Sequence, residues 1–296
     1  MADKIEKFLA YDGKVSVICA ETTDIVEEAR KMHDLSPVVT AAFGRMLTIT
    51  AIMGTEMKSA KNKLTIQIKG NGPIEMMLAT TNNYPKIKGY VINPQVDLPL
   101  NEDGKLNVGM AVGNEGYINV IKDIGLKDPY IGISPLVSGE IAEDFANYFV
   151  NSEQRQTAIA LGVLVDKNGV RRAGGYLINP MPDCGQEEIY KIEKEMFKAG
   201  AISKMLDKNL TLRQIAEEIT GDKNVKIIEN QIVPRYECDC SKEHMADGLA
   251  SLGKDEIEDI INTQENAQIV CQFCNKEYLF TKDDLEDILC KRKGKW

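Results

Sequence analysis

Four cysteines near the C-terminus carry the strongest chemical signal in the chain. They stand as Cys238-Asp239-Cys240 and, after 30 intervening residues, Cys271-Gln272-Phe273-Cys274. Two close thiolate pairs suit a tetrahedral zinc ion, each pair spanning one edge at a Zn–S distance of about 2.3 Å. Four sulfur ligands leave no position for water, so such a zinc is structural and not hydrolytic. Free thiols or separate disulfides are the simpler reading, but two tight pairs within the last 62 residues favour a metal. So small a segment has little core of its own, and a metal staple supplies what is missing. His244, on a helix expected to begin at Ser241, is the one imidazole near enough in sequence to stand in for a cysteine.

The same thiolates can be oxidised. Conversion to two disulfides would expel the metal. Structural zinc binds with an apparent free energy of about 10–16 kcal/mol, as large as the ~5–15 kcal/mol stability of a whole domain. Disulfides across such short loops return little of this, because loop-closure entropy grows with loop length. A redox switch is therefore physically available, and the spacing alone leaves it open.

The elements around the pairs follow from periodicity. Ala267–Val270 and Glu277–Phe280 read as strands that place the second pair at a hairpin tip. Cys290 ends a helix begun near Thr281. Residues 181–234 read as short amphipathic helices. Ile189, Ile192 and Met196 share one face of Glu187–Lys198, and a short helical stretch ends at Leu206. Thr211-Leu212-Arg213-Gln214 is a capping box, Leu212, Ile215, Ala216 and Ile219 form an apolar stripe, and Gly221 stops the helix. These helices are too small to form a core, so their apolar faces must dock on a neighbour. Residues 1–180 mix strands (Lys14–Ala20, Lys63–Lys69, Ile74–Ala79, Lys88–Ile92, Leu106–Met110, Tyr117–Ile121, Thr157–Val165, Val170–Ile178) with helices at Thr22–Lys31, Pro37–Met57 and Ser138–Val150. Thr22 or Thr23 is the expected cap of the first helix. The fold class is α+β: an N-terminal α+β domain with antiparallel-rich sheets (1–180), a helical linker (181–234) and a small four-cysteine zinc domain (235–296).

Composition excludes several functions. The 296 residues are 43% hydrophobic and 27% charged, which is globular. The net charge is −9, and residues 235–296, with 9 basic and 14 acidic side chains, hold more than half of it. That balance disfavours nucleic acid and anionic membranes. The basic tail Lys291-Arg292-Lys293-Gly294-Lys295 reads as a solvated terminus. Asp3, Glu6 and Lys7 interrupt any signal peptide. Ser36–Thr55 carries only Arg45 but also Pro37, Gly44 and Gly54, so it reads as a buried helix. A cytoplasmic location follows, where thiols stay reduced. With only two histidines, a hydrolase triad would need His33 or His244, and His33 reads as a structural side chain. Gly113-Asn114-Glu115-Gly116 is a turn and a poor phosphate loop. Two rivals stay in view: a thiol–disulfide oxidoreductase using Cys-x-x-Cys, and a zinc-knuckle nucleic-acid binder. Of the other cysteines, Cys19 belongs to an apolar strand and Cys184 follows a turn.

Taken together, the cysteine pairs, the stretch Ser152-Glu153-Gln154-Arg155-Gln156-Thr157-Ala158-Ile159-Ala160-Leu161-Gly162-Val163-Leu164-Val165 and the later Ala173-Gly174-Gly175-Tyr176-Leu177-Ile178 resemble a known family. At 32.9 kDa the whole chain is similar, in length and order of parts, to the bacterial redox-regulated 33-kDa heat-shock chaperone (holdase) family. The resemblance implies a non-enzymatic, ATP-independent chaperone of the cytoplasm. Its reduced form would be an inactive monomer with one Zn2+ on Cys238, Cys240, Cys271 and Cys274. Oxidation would form Cys238–Cys240 and Cys271–Cys274 disulfides, release zinc, unfold the linker and allow a homodimer to hold unfolded or partially folded client proteins. No nucleic acid or membrane partner is implied.

Overall fold

The chain divides into two compact units, Met1–Glu237 and Cys238–Trp296. The computed structural model describes residues 2–292 except 83, 84 and 265. The first unit holds two sheets. One contains β1 (Lys4–Ala10), β2 (Val15–Glu21), β8 (Ala158–Asp166), β9 (Gly169–Pro180) and β10 (Lys226–Ile232), in the order β10-β1-β2-β9-β8. The other contains β3 (Lys63–Gly70), β4 (Met76–Thr81), β5 (Lys86–Val91), β6 (Gly116–Asp123), β7 (Tyr130–Pro135) and β11 (Arg235–Tyr236), in the order β11-β5-β4-β3-β6-β7. Among the described strands, β11 alone runs parallel to its neighbour.

Between the sheets lies α2 (Pro37–Gly54), which packs on β8 and β9 of one sheet and on β3, β4 and β5 of the other. Its length and composition would suit a membrane span, yet it is buried along nearly its whole length inside this unit. Three buried threonines, Thr40, Thr48 and Thr50, donate to carbonyls one turn back at 2.7–2.8 Å, so no hydroxyl is stranded. Arg45, its one charged residue, reaches Glu140 at 2.6 Å.

The first sheet is buried on both faces. Ile5, Ile18, Ala20, Leu161 and Leu177 join the core around α2 and α1 (Thr23–His33). Phe8, Val15, Val17, Cys19, Tyr176 and Ile178 face the opposite way. That explains why β2 and β9 read as almost unbroken apolar runs. The second face is covered by α5 (Gln186–Ala199), α6 (Ile202–Asp207) and α7 (Leu212–Thr220), which contribute Ile192, Ile202, Met205, Leu206, Leu212, Ile215 and Ile219. The capping box of α7 is present: Gln214 N–H donates to Thr211 Oγ1 at 3.2 Å, and Thr211 N–H donates to Gln214 Oε1 at 2.9 Å.

Three expectations are corrected. Leu106–Met110 is no strand; α3 (Val108–Val112) forms there instead. Asn107 Oδ1 accepts from Met110 N–H at 3.2 Å, and Gly113 at φ +85° ends the turn. Thr22 does stand at the N-cap of α1, but its side chain makes no capping bond; the carboxylate of Asp3 accepts from Asp24 and Ile25 N–H instead, at 2.9 and 2.8 Å. The helix expected from Ser138 begins later, as α4 (Ala142–Glu153). The preceding loop winds about Asp144, a fully buried carboxylate that accepts from the amides of Val137, Ser138, Gly139 and Ile141 at 2.7–3.3 Å. Asp144→Ala strands these donors and is expected to lower stability by about 3 kcal/mol or more. A urea-unfolding midpoint equal to that of wild type would refute this.

The second unit contains α8 (Lys242–Ala250), α9 (Lys254–Thr263), β12 (Asn266–Val270), β13 (Glu277–Thr281) and α10 (Lys282–Arg292). Strands β12 and β13 form an antiparallel hairpin. Leu249, Ile257, Ala267, Tyr278, Phe280, Leu285 and Ile288 make a small core that includes Cys271. The cluster is modest for a unit of this length.

Candidate metal and redox centre

Each cysteine pair is held by its own local device. Cys238 and Cys240 lie in the irregular segment ahead of α8, and Ser241 Oγ caps that helix by accepting from His244 N–H at 3.2 Å. Cys271 and Cys274 sit on the turn between β12 and β13. There the Cys271 carbonyl accepts from Cys274 and Asn275 N–H at 3.3 and 2.8 Å, and Cys271 N–H donates to the Lys276 carbonyl at 2.9 Å. Asn275 takes the left-handed conformation (φ +56°) that closes this knuckle.

The two devices bring all four sulfurs within 4.8 Å of one another. Cys238 Sγ lies 3.8 Å from Cys271 Sγ, and Cys240 Sγ lies 3.3 Å from Cys274 Sγ. Sulfurs on a zinc tetrahedron with bonds of about 2.3 Å are about 3.8 Å apart. The donor set and spacing fit zinc, and all four thiols are free of disulfides. His244 is exposed and outside the group, which is made of sulfur alone.

The thiols are not equivalent. Burial pushes Cys238 and Cys274 up. Burial also pushes Cys240 upward, but hydrogen bonds from the Tyr278 hydroxyl and the neighbouring thiols outweigh it and bring Cys240 down to about 7. Tyr278 OH stands 3.1 Å from Cys240 Sγ and 3.0 Å from the Cys240 carbonyl. The phenol itself is pushed up, first by that bond to Cys240 and then by burial. Tyr278 was invisible as a site residue in the sequence. It reads there only as an apolar position of a strand, and the register that turns it toward Cys240 is a tertiary fact.

Other flagged residues take structural places. His33 ends α1, and its Nε2 is 2.9 Å from Tyr236 OH, which donates to the Gly89 carbonyl at 2.8 Å. In the Ser152-Glu153-Gln154-Arg155-Gln156 stretch, Glu153 ends α4 and Gln154 is left-handed. Arg155 pairs with Glu56 at 3.1 Å and Glu153 at 3.3 Å, and lies over the Phe149 ring. This clamp ties α4 to the chain just beyond α2. Cys19 is buried in β2, with its thiol pushed up by desolvation. Cys184 is half-buried and Cys290 exposed. Of the basic tail, Lys293, Gly294 and Lys295 lie outside the described residues.

Comparison with known proteins agrees with this architecture. The family model described as "Hsp33 protein" matches residues 3–281. A 33 kDa chaperonin of Clostridium beijerinckii is 42% identical, over 98% of this chain and 99% of that protein. One from Bacillus pumilus is 45% identical, over 97% of this chain and 98% of that protein. The crystal structure of the 33 kDa chaperonin (heat shock protein 33 homolog) of Thermotoga maritima superposes with a TM-score of 0.89 at 38% identity, covering 99% of this chain and 100% of that one. The sheets, the buried helix, the four-cysteine cluster and these near-complete matches lead to one assignment: the chain is a chaperone of the Hsp33 family.

Proposed function

We propose that the chaperone is latent while reduced and is switched on when oxidation of the four thiols releases one Zn2+. The observation that carries this is the mutual approach of the four sulfurs to within 4.8 Å, a distance at which the same atoms can share a metal or pair with each other. Cys238, Cys240, Cys271 and Cys274 would hold the ion. When bound, zinc fixes four thiolates as a charged, deprotonated cluster. Oxidation pairs Cys238 with Cys240 and Cys271 with Cys274, and the small core of the second unit then loses its staple.

The functional division is into 1–180, 181–234 and 235–296. Helices α5–α7, within 181–234, cover the second face of the first sheet. Undocking them exposes Phe8, Val17, Tyr176 and Ile178 on one side and Leu212, Ile215 and Ile219 on the other, and apolar surface of that kind binds unfolded chains. The active form acts as a homodimer in the cytoplasm, by binding clients and not by turnover.

The test follows zinc release and light scattering of a denaturing client in one sample. Peroxide with mild heat is expected to release zinc and suppress aggregation together. Zinc release without suppression sinks the switch, and so does equal suppression by the reduced, zinc-loaded protein. Repeated disulfide turnover by catalytic amounts of the protein would favour the oxidoreductase reading instead.

A further inference from the structure

We propose that Tyr236 is a positioning residue of the linker: its buried side chain pegs the linker's far end to the second sheet and so keeps β10 paired with β1 in the latent protein. This rests on the linker-release reading above. Only Val233 and Pro234 separate β10 from β11, yet the two strands belong to different sheets. The chain that leaves α7 is therefore sewn first to β1 and then to β5. Cys238, the first of the four cysteines, follows two residues beyond Tyr236. Strand β11 is too short to hold by its backbone alone. Arg235 N–H donates to the Pro85 carbonyl and Glu237 N–H to the Ile87 carbonyl, both at 2.9 Å. The exposed pair of Lys86 with Glu237 adds little.

The side chain supplies the rest. Tyr236 is buried and belongs to the core around α2. Its hydroxyl has one proton, which goes to the Gly89 carbonyl at 2.8 Å, so it accepts from His33 Nε2–H at 2.9 Å. The His33 ring stands edge-on to the Tyr236 ring, with 6.3 Å between centroids. The peg thus grips β5 through Gly89 and α1 through His33. Strand β10 needs such a fixed point, because it is the outermost strand of its sheet and β1 alone pairs with it. With Tyr236 seated, β10 runs between α7 and an anchor. With Tyr236 withdrawn, Ile232 becomes the loose end from which β10 peels away, since chain ends fray first. The edge of β1 left behind is a row of unpaired amides and carbonyls flanked by Ile5 and Phe8, a ready template for an extended client segment. Helix α7 has a separate tie: Asp222, just beyond it, accepts from Tyr11 N–H at 2.7 Å.

The test uses full-length, reduced, zinc-loaded protein without oxidant, and reads hydrogen exchange and light scattering of a denaturing client. Tyr236→Phe keeps the ring but strands the Gly89 carbonyl and the His33 N–H. Protection of the 226–232 amides is expected to fall about tenfold. Tyr236→Ala also leaves a cavity, and the loss there should reach about a hundredfold or more. In both variants α7 is expected to lose less protection than β10, whereas a general loosening of the unit would lower the two alike. Bound zinc and protection of β12 and β13 are expected to match wild type. Tyr236→Ala should also suppress aggregation partially. Unchanged β10 protection in Tyr236→Phe overturns the peg, and decides the matter if the alanine variant does not fold. Equal losses in α7 and β10 overturn it, as does loss of zinc in reducing buffer, which would place the effect in the metal centre. A deprotected β10 in a fully latent Tyr236→Ala protein overturns its part in latency. So does equal oxidant-free suppression by Asp144→Ala, which weakens the same unit and leaves Tyr236 in place. Oxidised wild type that has released zinc and holds clients with β10 and α7 still protected overturns the linker-release reading itself, whatever residue stands at 236.

Discussion

Ile215→Asp, introduced alone, is expected to suppress client aggregation without any oxidant, to a level below that of oxidised wild type. Ile215 is fully buried where α7 meets β1 and β2. Removing an isoleucine from such a seat costs about 1.5–3 kcal/mol of transfer free energy. Placing an unpaired carboxylate there costs several more. A nine-residue helix has no independent stability in water. Once its stripe is spoiled, α7 therefore leaves the sheet, and the apolar face beneath it opens. Leu212→Asp should act in the same way, since Leu212 shares that seat. Arg213→Asp is the control. It changes charge on the same helix, but Arg213 is exposed and its 3.1 Å pair with Glu217 contributes at most about 1 kcal/mol. Light scattering and hydrogen exchange over residues 212–220 check both points. A fully latent Ile215→Asp protein with α7 deprotected would show that undocking this helix is not the latch.

Cys271→Ser is expected to have the larger effect on structure. Cys271 is buried in the core of the second unit as well as facing the other three sulfurs. A hydroxyl there replaces a ligand with a poor one and takes away a large share of the roughly 10–16 kcal/mol that structural zinc supplies. The variant should purify without zinc, and amides of β12, β13 and α10 should exchange as in an unfolded chain while β2 and β9 stay protected. Stoichiometric zinc with native protection across the hairpin would show that three thiolates suffice.

What the sequence displayed and what it concealed have physical reasons. The cysteine pairs were legible because ligand chemistry fixes residue type and close spacing together. The helices of residues 181–234 were legible because each buries one stripe against a single surface, so the 3.6-residue period survives. Strand β1 went unseen. Its buried positions, Ile5, Phe8 and Ala10, break step at Glu6-Lys7, where the pairing with β10 shifts register. In β7, Ile131 and Ile133 lie exposed while Gly132 and Ser134 are buried, the reverse of an ordinary strand face. At Leu106–Met110 an alternating pattern suggested a strand, and Asn107 overrode it as a helix cap. The most informative contacts, Asp3 with α1, Tyr236 with His33 and Tyr278 with Cys240, join residues far apart in sequence or across elements. No periodicity encodes them.

The burial of α2 between the two sheets has a consequence for the birth of the molecule. This helix is translated about a hundred residues before β8 and β9, two of the strands that cover it. At about 5–20 residues per second, its apolar surface waits roughly 5–20 s for that cover. The outer partner of β1, strand β10, is made later still. Until then the nascent chain displays the kind of surface that its finished form exists to shield in others. A guardian made during stress thus enters the cell as a ward, and stocks built up beforehand escape that exposure.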